Sequence, residues 1–276
     1  MVPRGPGCLA ARGASLPDAA LLGTVRGMAA PDAPPSPPSS AALPEPPEVP
    51  GLSGTFPATP RTTIRRTDRA SYDRELVHGI LDESLVCHVG FAIQGAPFVI
   101  PMLHGRVGDT LYLHGLPASR IVRHLRGGVE VCVEATLLDG LVMARSSFHH
   151  SLNYRSVVLF GRARLARDHA EKLAGLRAIV EHVAPGRWDD ARRPSGPELR
   201  QTHVVAVPIE EASAKVRVGP PIDDPADLEL PVWAGVIPVR TVLGAPVTDG
   251  VEGRPAALPP YLAALIDPTG HAERPR

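Results

Sequence analysis

The chain has 276 residues, a formal net charge of zero and 43% hydrophobic residues, which bounds it to one large folded domain or two small ones. Balanced charge without a Lys/Arg stripe argues against a nucleic-acid binder, and no apolar run approaches the ~20 residues of a membrane span. Three cysteines (Cys8, Cys87 and Cys132) give no disulfide framework, so the expected compartment is a reducing cytoplasm. The N-terminus carries arginines without an apolar h-region, so no secretory signal is expected, and Met28 is a second candidate start.

Of the 32 prolines, 14 lie in the first 60 residues. Residues 1–60 are therefore expected to form a disordered or polyproline-like extension, because they offer too little apolar surface to offset their ordering entropy. Residues 61–240 carry the apolar patterning of a core. Residues 241–276 return to Pro and Gly, with Tyr261–Ile266 as a candidate short docked helix.

In chain order, Ser71 is the first predicted N-cap. Tyr72, Leu76 and Ile80 follow at helical spacing, with Asp73 and Glu75 in the first turn. Leu85–Ile93, Pro97–His104 and Thr110–His114 read as strands joined by turns at Gln94-Gly95 and Gly108-Asp109. Pro117–Arg126 reads as a short helix stopped by Gly127-Gly128. Val129–Leu138 and Leu141–Ala144 are predicted to form a hairpin around Asp139-Gly140, and Tyr154–Ala166 a long strand. Asp168 and Glu171 resemble a capping box for a helix with Leu173, Leu176, Val180 and Val183 on its apolar face. His203–Ile209 and Ala214–Val218 complete the strands. Consecutive antiparallel strands with inserted helices predict a mainly β fold, a small barrel with peripheral helices. No G-x-G-x-x-G or Walker A sequence occurs.

The stretch Gly95–Arg120 carries the first chemical signal. After its second strand comes His114-Gly115-Leu116-Pro117-Ala118-Ser119-Arg120, which combines an arginine, a serine, a histidine and a helix start, the parts of an anion site. His149-His150 and Cys87-His88 lack the spacing of a zinc site, and adjacent strand histidines point in different directions.

Three ordered motifs sharpen the reading. GAPFVIPMLHGRVGDTLYLHGLPASR, followed by NYRSVVLFGRARL, resembles the pyridoxamine 5′-phosphate oxidase-like family of FMN-binding split β-barrels, in the branch of flavin-nucleotide-binding proteins related to nitroimidazole-resistance reductases. The similarity spans roughly Arg66 to Pro238. It implies an antiparallel, Greek-key-like split barrel with FMN as cofactor, F420 or haem being the alternatives. It implies Val99, Ile100, Pro101 and Met102 as neighbours of the isoalloxazine ring, and His114, Gly115, Ser119 and Arg120 around the ribityl phosphate. It implies a homodimer in which Tyr154, Arg155 and Ser156 reach the partner's flavin, and basic residues at Lys215 and Arg217 near the ring. His149 and His150 are candidates for the substrate side. The implied activity is reduction of a small nitro- or quinone-like acceptor by a reduced nicotinamide; no catalytic residue is assigned, and a non-catalytic flavin-binding protein is the rival. The chain departs from true oxidases of vitamin B6: Phe98 and Val99 stand where those carry basic residues, and their C-terminal Arg-x-His is not found.

Overall fold

The computed structural model describes residues 54–251 and 257–266. The expected extension over residues 1–53 and the tail segments 252–256 and 267–276 lie outside the described residues. The strands are β1 (Ala70–Ser71), β2 (Val86–Ile93), β3 (Ala96–Val107), β4 (Thr110–Gly115), β5 (Val129–Met143), β6 (Ser151–Leu165), β7 (His203–Pro208), β8 (Glu211–Arg217) and β9 (Gly235–Pro238). The helices are α1 (Arg74–Glu83), α2 (Arg120–Leu125), α3 (His169–Val183), α4 (Arg187–Asp190), α5 (Gly196–Gln201) and α6 (Pro260–Ala263).

All strand pairings are antiparallel, in the order β1-β8-β6-β7-β4-β3-β2-β5-β9. An additional β5–β6 pairing curls the sheet back on itself. Only Arg164↔Ala206 and Leu165↔Val205 join β6 to β7, and there the barrel is split. The mainly β split barrel with peripheral helices expected from the sequence is the observed fold.

The hairpin turns follow their residues. Gln94 and Gly95 both have positive φ, +50° and +82°, as a two-residue turn matched to strand twist requires. The β5 reading is corrected. Val129–Met143 is one strand, and Asp139-Gly140 is a bulge in its pairing with β6, not a hairpin turn. The first helix starts later than expected, because Asp73 is the N-cap and accepts from Leu76 N. Ser71 instead belongs to β1, opposite Ala214. Asp168 caps α3 through Glu171 N as expected. The buried face of α3 centres on Gly175 and Ile179, while Val183 is exposed. A Cβ at Gly175 would come within 2.7 Å of the Tyr112 ring, so the missing side chain is what seats the helix.

The barrel core is built from Val77, Ile80 and Leu81 of α1 against inward strand residues such as Val89, Leu111, Leu113, Val133 and Leu159. Phe56, within the segment expected to be disordered, is 2% exposed and belongs to this core. A second, smaller cluster of Tyr112, Ile179, Val204 and Ala206 lies under α3. Near the C-terminus, α6 covers Pro260–Ala263, where the expected helix was Tyr261–Ile266. Tyr261 Oη lies 2.6 Å from Asp190 Oδ2, and its ring covers Gly186.

Candidate functional site

Strand alternation decides what each expected site residue faces. Along β3, Phe98, Ile100 and Met102 pack against the barrel core. Val99 and Pro101 point the other way and are exposed, Val99 at 66%. The four residues expected beside a flavin ring are thus divided between the two faces of one strand.

The loop after β4 is shaped by its small residues. Ser119 caps α2, its hydroxyl accepting from Val122 N at 3.4 Å. A Cβ at Gly115 would meet Val122 Cγ2 at 2.9 Å, so glycine lets α2 lie across the strand end. Arg120 has no carboxylate within 4 Å among the described residues, and its guanidinium sits 5.2 Å from the centre of the Phe98 ring. Phe98 in turn stacks on Phe91, and Phe91 on His124. An uncommitted guanidinium held over an aromatic ring, beside a serine hydroxyl, can take a phosphate oxygen.

His114 is not gathered with this group. It is opposite Val204, on the α3 side of the sheet, whereas Gly115 faces α2. It lines an open pocket of about 300 Å³ with Leu176, Arg192, Glu198 and Thr202, among others. Desolvation there lowers its pKa below the ordinary histidine value. A period of two separates neighbours in sequence onto opposite faces, and the expected phosphate cluster loses its histidine for that reason.

The residues of β6 and β8 also divide. Arg155 is held within its own chain: Nη2 donates to Glu83 Oε1 at 2.8 Å and to Asp139 Oδ1 at 2.8 Å, and Nε to Asp139 Oδ2 at 3.0 Å. It therefore ties α1 to the β5 bulge instead of reaching outward. Arg217 is 6% exposed and binds the Asn153 side chain and the Gly219 and Pro220 carbonyls, pinning the chain after β8. Burial lowers its pKa. Both side chains are thus engaged within their own chain. Tyr154, Ser156 and Lys215 form a different group. Lys215 Nζ stands 5.9 Å from the Tyr154 ring centre, and Ser156 Oγ donates to Lys215 O at 3.3 Å.

His149 and His150 lie at the start of β6. His149 Nε2 is 3.2 Å from Asp224 Oδ2, and His150 Nδ1 is 3.0 Å from Ser146 O. Asp223 holds the same loop through Arg145, with Arg145 N donating to it at 2.8 Å and Nη1 at 2.9 Å.

One arrangement escaped the sequence reading. On the outward side of β2 stand Val86, His88, Gly90 and Ala92, opposite Leu103, Pro101, Val99 and Pro97 of β3. His88 is the one ionisable residue on that hairpin face. Glu134 of β5 lies directly opposite, with its Oε2 3.3 Å from His88 Nδ1. The Thr136 hydroxyl donates to the other carboxylate oxygen. Alternation in VCHVGFAI contains the signal: apolar residues at both parities leave His88 as the exception on one face. Among the described residues, no cluster of three or more His, Cys, Asp or Glu forms a metal site. No helix among them is long and apolar enough to cross a membrane.

No curated protein matches the chain. Two solved structures align over nearly their whole length. The flavocytochrome Anf3 from Azotobacter vinelandii is 40% identical, with a TM-score of 0.69, covering 75% of this chain and 97% of that one. The FAD and heme binding protein from Mycobacterium smegmatis is 37% identical, with a TM-score of 0.68, covering 72% and 97%. The model of the pyridoxamine 5′-phosphate oxidase family matches residues 73–216, more than half of the chain. On the fold, the residue match and these two relatives together, the chain belongs to the pyridoxamine 5′-phosphate oxidase-like family.

Proposed function

We propose that this protein is a homodimeric oxidoreductase that binds a flavin and a haem. The observation that carries the reading is the near-complete match, at 37–40% identity, to one protein named a flavocytochrome and another named for FAD and heme. FAD is the expected flavin on that ground, where the sequence alone pointed to FMN. When bound, the flavin supplies hydride acceptance and single-electron transfer.

The chain's own residues fit such a group at the Phe98 end of the β2–β3 hairpin. Arg120, without a carboxylate partner among the described residues, binds a phosphate oxygen, and the Ser119 hydroxyl donates to another. Phe98, Ile100 and Met102, half-buried on the face that Arg120 covers, offer apolar surface to the ring. Lys215 beside Tyr154 offers positive charge to a reduced, anionic ring, from this chain or from its partner. The electron donor in this reading is a reduced nicotinamide, and the outlet is a small nitro- or quinone-like acceptor.

The exposed apolar residues Val86, Val99, Leu103 and Leu138 on one sheet face support dimerisation through that face. The spectrum of the purified or reconstituted full chain tests the proposal. Flavin bands with a Soret band, and bleaching of the flavin by NADH or NADPH, are expected. Released cofactor eluting as FMN would restore the narrower expectation from sequence. Bound flavin that no nicotinamide reduces would leave a binding protein and defeat the reductase reading.

A further inference from the structure

His114 closes β4 on the α3 side of the sheet, away from the Arg120 loop, and the pocket it lines has a volume of about 300 Å³. Sites for small molecules run from about 300 to 1,000 Å³, so a compact ligand fits. Leu176 of α3, Pro194 and Leu199 of α5 are half-buried and give the pocket aliphatic walls. His114 is exposed, so a ligand can enter from solvent. The side chains of His114 and Thr202 make no hydrogen bond among the described residues. The charges around them, by contrast, are already paired. Arg192 donates to both oxygens of Glu198, at 3.0 and 2.7 Å. Glu198 also accepts from Ser195 N at 2.7 Å and from the Ser195 hydroxyl at 2.8 Å. Lys172 Nζ donates to the Leu199 carbonyl and ties that wall to α3.

This lining selects a ligand by charge and by hydrogen bonding. The walls withhold enough water from His114 to keep its ring neutral at pH 7. A neutral imidazole has one N–H donor and one acceptor nitrogen, and Thr202 adds an O–H. An anion would have to break Arg192 away from Glu198, and a cation would have to break Glu198 away from Arg192. Either exchange gives up a bidentate pair. A neutral flat ring meets no such cost. It can lie against Leu176, Pro194 and Leu199 and offer a carbonyl oxygen to the His114 N–H or the Thr202 hydroxyl. The pocket is separate from the flavin loop. Gly115, one residue on, faces Val122 and Ser119 on the α2 side, so β4 itself stands between the two sites.

We propose that this pocket is a second binding site, for a neutral aromatic ring bearing a carbonyl, with His114 and Thr202 as its hydrogen-bond donors. A carboxamide and a quinone share that chemistry, so nicotinamide and menadione are the probes, and nicotinate is the charged counterpart. Isothermal titration of the full chain is expected to give a dissociation constant below about 1 mM for at least one neutral probe, and the tighter of the two names the source. Nicotinate is expected to bind at least about 10-fold more weakly than that probe. His114→Ala is expected to weaken binding about 10-fold and Thr202→Val about 3- to 10-fold. His114→Gln, which keeps an N–H donor, is expected to weaken it by no more than about 3-fold. His149→Ala is expected to change nothing. Absence of binding by both neutral probes at about 1 mM overturns the site. So does nicotinate bound as tightly as the better probe, or affinity unchanged in both His114→Ala and Thr202→Val. The titration needs neither flavin nor haem. A chain that takes up no cofactor but binds the probe through His114 defeats the proposed function and leaves this site standing.

Discussion

Strand β3 passes through two environments, and the contrast separates what holds this protein together from what equips it for chemistry. Its first part, Ala96–Leu103, forms an arm with β2 and alternates between exposed and half-buried residues. Its second part begins with His104 and Gly105, both buried, and lies under α3. The arm carries Val99 and Pro101, the latter opposite His88. The buried part touches no candidate ligand residue and instead sets the distance between sheet and helix.

The largest expected effect comes from breaking the buried part. A Cβ at Gly105 would lie 2.5 Å from Ile179 N and still closer to the Ala178 backbone. Those atoms are helix backbone and cannot rotate away, so α3 must move as a unit. Gly105→Ala is expected to cost about 3 kcal/mol or more, read as a fall in denaturant midpoint at unchanged slope. A stability equal to wild type would mean that α3 is loosely seated, and the contrast between the two parts would lose its basis.

His104 provides the next test. Burial, with the nearby His182 ring 4.4 Å away, holds its pKa down to about 4 from 6.5. Below pH 6.5 the unfolded chain takes up a proton that the folded chain refuses. Stability therefore falls as pH drops from 6.5 to 4, by about 3 kcal/mol from this group, and the dependence flattens below that window. Chemical denaturation across pH 3.5–8 should show the slope, about one proton in size. His104→Phe should remove that slope, at a cost in stability at pH 8 because the Leu81 carbonyl loses its donor. A slope that survives the substitution belongs to another group.

The arm answers to different measurements. Arg120→Ala is expected to lower flavin affinity by ~1–3 kcal/mol while leaving the unfolding midpoint nearly unchanged. Arg155→Ala should do the reverse. Its bonds to Glu83 and Asp139 are internal, so its loss should cost about 1–2 kcal/mol of stability with no specific change in flavin binding. Equal effects of both substitutions on affinity would return Arg155 to the site.

The contrast also explains what the sequence could convey. The run of strands along the chain, the Gln94-Gly95 turn and the Asp168 cap are local or periodic signals, and they were legible in the residues. Asp139-Gly140 misled because a bulge and a turn use the same residue types, and only the unbroken pairing of β6 across it separates them. The intrachain partners of Arg155 and Arg217 were hidden for another reason. A strand arginine looks the same in sequence whether it faces a ligand or a carboxylate from elsewhere in the chain, and Glu83 is 72 residues away. His88 and Glu134 are 46 positions apart by number, and only the β2–β5 register joins them. Long-range pairing hid both the scaffold arginines and the histidine–glutamate pair.

The smallest expected effect is the most discriminating for the arm. Val99 is 66% exposed in the single chain, so Val99→Ser should change unfolding of the protomer by no more than about 0.5 kcal/mol. A second copy lying on the outward face would remove that same side chain from water. Its replacement would then weaken association by roughly 1 kcal/mol for each of the two symmetry-related sites. Sedimentation equilibrium of Val99→Ser against wild type separates the two quantities. A dissociation constant raised about 30-fold with an unchanged protomer midpoint places the partner on this face. An unchanged dissociation constant moves the dimer contact elsewhere.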